Sequence, residues 1–90
     1  MKFEWDPKKA AANVRKHNVT FEEAASVFGD PLAITFEDPD HSMSENRYIT
    51  FGLSQQKRLL IVAHTQRRDR TRIISSRLMD IKERRIYEEG

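Results

Sequence analysis

Apolar and polar positions change their period twice along this chain. Phe21, Ala24, Ala25 and Phe28 recur at i, i+3, i+4 and i+7, which is one face of a helix. From Arg47 to Ser54 the pattern becomes alternating, with Ile49, Phe51 and Leu53 on one side and Tyr48 and Thr50 on the other, as a half-buried strand requires. RLLIVAHT, Arg58 to Thr65, is apolar on both faces and predicts the central strand of a sheet. LAITFE, Leu32 to Glu37, and RTRIISS, Arg70 to Ser76, complete a meander whose links are DPDHS, SQQK and QRRD. Phe3 to Trp5 adds a short edge strand.

Capping signals bound the helices. Asp6 is a good N-cap and Pro7 suits the first helical position, so a helix runs from there to about His17, with Asn18 as its stop. Thr20 and Glu23 match a capping box and open a second helix, with Val19 and Ala24 as its apolar staple; Gly29 ends it and Asp30-Pro31 turns the chain. A closing helix is expected from about Arg77 to Glu88, with Leu78, Ile81 and Ile86 packed on the sheet. Arg77, Asp80, Arg84 and Tyr87 then line its other side, with Asp80 and Arg84 able to pair at i, i+4. The order predicts an α+β domain over residues 1–90: two N-terminal helices, a four-stranded antiparallel sheet and a C-terminal helix.

Composition narrows the class. The 90 residues fit one domain, and 33% of them are charged. There is no cysteine, so disulfides and cysteine–zinc sites are excluded. The start, MKFEWDPKK, has no apolar core of a signal peptide, and the run Leu59 to Ala63 is far shorter than a membrane span. A cytoplasmic protein without membrane contact is the expectation.

The net charge of +2 conceals an asymmetry. Thr20 to Glu45 carries seven acids and no Lys or Arg, while Lys57 to Arg85 carries ten basic residues against three acids. Such a split favours a nucleic-acid partner on the basic side over two surfaces that pair internally. Its densest part is HTQRRDRTRIISSR, residues 64–77, with five arginines and a histidine.

The residues also carry a resemblance. FEWDP at the start, followed by the spaced N, KH, FEEA and VF.DP, then SENRYITFG, then RIISSR and ERR.YEE, together resemble the BrnT family of type II toxin–antitoxin toxins. The resemblance spans Phe3 to Glu89. It implies a ribonuclease fold like that of RelE toxins and RNA cleavage that inhibits translation. It also implies a cognate ribbon-helix-helix antitoxin that wraps the toxin, an even-numbered hetero-oligomer, and operator DNA contacted only through the antitoxin. Ser76 stands where the family usually has alanine before the arginine, a mild departure.

RNA cleavage without a metal needs a base for the 2′-hydroxyl, cations for the pentacoordinate phosphate and an acid for the leaving oxygen. Arginine suits the second role because its planar fork binds phosphate bidentately. Arg72, Arg77, Arg84, Tyr87 and His64 are the catalytic candidates, and Lys57, Arg58, Arg67, Arg68 and Arg70 the RNA-binding ones. Two readings of His64 stand: an acid or base in the basic stretch, or a partly buried imidazole bonded to backbone. The hairpin arginines Arg67 and Arg68 are also ordinary as exposed edge charges. His17 reads as a helix-end residue and His41 as a turn residue; Glu45 and Arg47 read as a pair fixing the second strand. Asp38, Asp40 and His41 lack supporting metal-ligand spacing elsewhere, so no metal and no cofactor are expected. The competing function is a non-catalytic nucleic-acid-binding or partner-binding domain using the same basic face.

Overall fold

The computed structural model describes residues 1–38 and 46–90. The expected readings of Asp40, His41 and Glu45, including the Glu45–Arg47 pair, lie outside the described residues. The elements run β1 (Lys2–Glu4), α1 (Pro7–His17), α2 (Phe21–Ser26), a 3-10 turn (Val27–Gly29), β2 (Ile34–Glu37), β3 (Arg47–Leu53), β4 (Leu59–Arg67), β5 (Arg70–Leu78) and α3 (Ile81–Glu89).

Local chemistry accounts for the helix ends. The Asp6 carboxylate accepts from the Lys8 N–H at 2.8 Å, and Asn18 closes α1 in the left-handed region at φ 56°. The Thr20 hydroxyl accepts from the Glu23 N–H at 3.0 Å and opens α2. At α3, Asp80 and Glu83 satisfy each other's backbone N–H groups in a full capping box.

The sheet has five strands in the order β1-β5-β4-β3-β2, so the doubly apolar β4 is indeed central. The four-stranded antiparallel expectation needs correction in one detail. β2 to β5 form the antiparallel meander, but β1 joins β5 in parallel and makes the sheet mixed. A three-residue strand beside the chain's own start carries no local sign of its partner, which lies 68 positions away.

One sheet face packs against α1 and α2 around Val19, Phe21, Ala24, Val27, Leu60, Val62 and Ile73. Asn13 fixes α1 to this face: its amide donates to the carbonyls of Val19 and Ser76, each at 2.9 Å, and its oxygen accepts from the Ser76 N–H. The buried Ser76 hydroxyl donates to the Ile61 carbonyl at 2.9 Å, so the serine in RIISSR is fully accommodated. The other face holds a smaller cluster of Phe51, Ile61 and Met79, with Ile49, Leu59 and Tyr87 packed on it. Helix α3 contributes Tyr87 to that cluster and buries no residue completely.

Candidate active site

The site is set by the pairing of β4 with β5. Arg67 pairs with Arg70, Gln66 with Thr71, Thr65 with Arg72 and His64 with Ile73; the register then slips, and Ala63 pairs with Ser75 and Ile61 with Arg77. Residues paired across an antiparallel ladder lie on the same face. Leu60, Val62 and Ile73 belong to the helix-covered core, and His64 packs on Phe28 from the same side. Thr65, Arg67, Arg70, Arg72 and Arg77 therefore occupy the opposite face, and Arg47, paired with Thr65 from β3, joins them. The slip is a β-bulge next to His64. It inserts one extra residue into β5 and so turns its later positions over.

Arg72 and Arg77 are held by carboxylates. The Arg72 guanidinium donates to Glu4 Oε2 at 2.8 Å, where the parallel register sets Glu4 beside Arg72. Arg77 makes a bidentate pair with Glu83, both bonds at 2.8 Å, and donates to the Leu78 carbonyl. The Glu83 carboxylate holds the Arg77 charge firmly, and Arg77 in turn keeps the Glu83 carboxyl below the usual range. Beside Glu4, a groove of about 690 Å³ is lined by Glu4, Gln66, Arg67, Arg68, Asp69 and Arg70. Arg68 turns the hairpin there in the left-handed region, at φ 56°.

Arg77 thus lies in a strand, not at the start of a helix. The expected helical row of Arg77, Asp80, Arg84 and Tyr87 does not form, because α3 begins at Ile81 and the Asp80 carboxylate caps it. Tyr87 turns inward, and its hydroxyl donates to Asp30 Oδ2 at 2.6 Å. That bond pushes the phenol up to about 12. Arg84 lines a separate shallow groove with Met79, Asp80, Ile81 and Lys82.

His64 sits in the helix-side core, 8% exposed, its Nε2 2.7 Å from the Thr50 hydroxyl and its ring against Phe28 and Tyr48. Burial lowers its pKa to about 4, so it is neutral at physiological pH. The basic stretch is also not one surface. Lys57 and Arg58 lie at the β3–β4 hairpin, and Arg67, Arg68 and Arg70 at the far end of the nine-residue β4. That strand spans roughly 30 Å at about 3.3 Å per residue. Arg58 donates to the buried Glu23 carboxylate and to the Asn18 carbonyl, while the Ser54 hydroxyl also donates to Glu23. Among the described residues no group of three ligand-type side chains could hold a metal ion, and no helix is long and apolar enough to cross a membrane.

Glu4, Asp30 and Thr50 carry little sequence signal of the roles they take here. Each acts through a partner far away in the chain; the alternation of FEW, which points Glu4 away from Phe3 and Trp5, was the one local clue.

Fold and site together define an α+β domain that presents guanidinium groups on the sheet face opposite α1 and α2, suited to a phosphodiester chain. A family model described as the ribonuclease toxin BrnT of type II toxin–antitoxin systems matches residues 5–83, and the chain belongs to this family of ribonuclease toxins. Membership brings an RNA substrate and an antitoxin partner. Among solved structures, the crystal structure of the Brucella abortus ribonuclease toxin BrnT is similar, with a TM-score of 0.68 and 20% identity over 89% of this chain and 97% of that one. That likeness is one of fold. No curated protein matches the chain.

Proposed function

We propose that RNA is bound and cut across the β4–β5 face, without a divalent metal, and that this cleavage inside the RNA chain stops translation. The observation that carries the reading is the bulge beside His64, which sets Arg72 and Arg77 on the face that already holds Arg67 and Arg70. Arg67, Arg68 and Arg70 grip the backbone at the hairpin. Arg72 and Arg77 neutralise the phosphate that gains charge in the transition state. A guanidinium has five N–H donors, and Arg72 commits one of them to Glu4, so it can hold that carboxylate and a phosphate together. Removing one such donor typically costs about 10²–10³ in rate.

In this reading His64 and Tyr87 serve the fold. Arg84 and Lys57 add long-range attraction, and Arg58 anchors the β3–β4 hairpin. A ribbon-helix-helix antitoxin covers the arginine face with acidic side chains, assembles with the toxin in even numbers and alone contacts operator DNA. The deciding experiment is a cleavage time course on a defined RNA with antitoxin-free protein, with and without EDTA. Cleavage should proceed equally in both. Intact RNA under both conditions would leave only a binding role for the face, and loss of cleavage on chelation would overturn the metal-free mechanism.

A further inference from the structure

We propose that Glu4 is the general base of the cleavage reaction, taking the proton from the attacking 2′-hydroxyl. This rests on the β4–β5 face being the RNA site. Four observations support it. First, Glu4 stands on that face, level with Arg72 in the parallel β1–β5 register. Second, its position is fixed from both sides. Phe3 packs on Phe28 with ring centres 5.3 Å apart and Trp5 on Phe21 at 5.9 Å, so the alternation of β1 points Glu4 the other way. Third, only one carboxylate oxygen, Oε2, is bonded to Arg72, and with the side chain 28% exposed the other can face the groove. Fourth, among the described residues the neighbouring carboxylates are placed differently. Glu83 gives both oxygens to Arg77 and one also to the Asp80 N–H, and Asp69 sits in an exposed hairpin-tip pair with Lys2 at 3.4 Å.

The charged groups around Glu4 are Lys2 on its own strand, Arg70 and Arg72 on β5, and Arg67, Arg68 and Asp69 at the hairpin. They place a phosphate and a base side by side, as in-line transfer requires. The step balances as follows. Glu4 takes the 2′-hydroxyl proton, and the freed oxygen pair bonds to the neighbouring phosphorus. The bond from phosphorus to the 5′ oxygen breaks with its electron pair, and that oxygen takes a proton from water. Protonated Glu4 neutralises the resulting hydroxide and is regenerated. The products are a 2′,3′-cyclic phosphate and a 5′-hydroxyl end.

The test compares Glu4→Gln, Glu4→Asp and Arg77→Ala on one RNA, with a fully 2′-O-methylated RNA of the same sequence as an uncleavable binding probe. Glu4→Gln should slow cleavage by about 10²–10⁴, flatten the acid limb of the pH–rate profile and bind the methylated RNA within about threefold of wild type. Glu4→Asp keeps a carboxylate and should cut faster than Glu4→Gln; it decides the matter if Glu4→Gln lowers thermal stability. An unchanged acid limb in Glu4→Gln, at full or reduced rate, with Arg77→Ala inactive would overturn the role of Glu4 and leave the face intact. Wild-type cleavage in Arg77→Ala as well would overturn the site itself.

Discussion

Arg72 and Arg77 stand on the same face of β5 although five positions separate them. In an unbroken strand an odd spacing puts two residues on opposite faces. One of the two would then enter the helix-covered core, where an unpaired charge is prohibitively costly. The bulge removes that conflict and supplies a second cation to the face opposite α1 and α2.

Replacing either arginine should therefore disable the enzyme and spare the fold. Arg72→Ala and Arg77→Ala are each expected to reduce cleavage about 10²-fold or more. Their carboxylate pairs are partly exposed, so each loss should cost at most about 1 kcal/mol of stability. Lys8→Ala and Lys9→Ala on α1 should cut at the wild-type rate. Initial rates on a defined RNA, with thermal melts alongside, check this; full activity in both arginine variants would remove the face from the mechanism.

His64 should make stability depend on pH well above the carboxylate range. The unfolded imidazole gains a proton as pH falls through about 6.5, while the buried one resists until about 4. The unfolded state binds more protons in that window, so stability falls as pH drops across it, by about 3 kcal/mol in total. Below about 4.5 a second loss begins. The Arg58 bond holds the folded Glu23 carboxyl below its usual range, so the unfolded state protonates first there too. Urea unfolding at several pH values between 7 and 4 measures the slope, and His64→Gln should flatten its upper part. An unchanged slope in that variant would show that the imidazole is not its source.

Arg58 and the hairpin arginines should separate cleanly. Arg58→Ala leaves the Glu23 carboxylate buried without its cation and should cost about 3 kcal/mol. For a domain of this size that is roughly 10–20 °C in Tm. The salt dependence of RNA binding should stay as in wild type. Arg67→Ala with Arg68→Ala should do the reverse, keeping Tm and lowering the salt slope by up to about 2. Binding isotherms at several salt concentrations decide, and a shallower slope in Arg58→Ala would return that residue to the RNA surface.

The antitoxin should find its target electrostatically. Complementary charge mainly speeds encounter, so the association rate should drop as salt rises and drop again when Arg67 and Arg68 are both alanine. Stopped-flow mixing at low and high salt measures it. A rate indifferent to salt and to both mutations would place the antitoxin on another surface, with the acidic segment from Thr20 to Glu45 the next to test.

What could be read in the sequence was what short-range chemistry controls. Asp6-Pro7, Thr20 and the alternation in β3 mark their elements within four or five residues and stand where expected, but the Thr20 cap is one-sided because the Glu23 carboxylate goes to Arg58 and Ser54. The centrality of β4 followed from its two apolar faces. The site was less legible because its decisive relationships are long-range. Glu23 reaches Arg58 across 35 positions, Tyr87 reaches Asp30 across 57, and Glu4 reaches Arg72 across 68. The bulge leaves no glycine or proline in RIISSR to announce it, and a helical reading of Arg77 followed from spacing that the longer β5 overrode.

The parallel pairing of β1 with β5 also orders events in time. The ribosome releases Lys2–Glu4 before every other element of this fold, yet the strand that receives it begins only at Arg70. A contact of such long separation carries a large loop-closure cost, which falls once the intervening meander has brought its ends together. The groove between β1 and the β4–β5 hairpin therefore cannot form until β5 has been made and has joined the sheet. A ribosome making this toxin has passed Arg72 before the wall carrying Glu4 can close beside it.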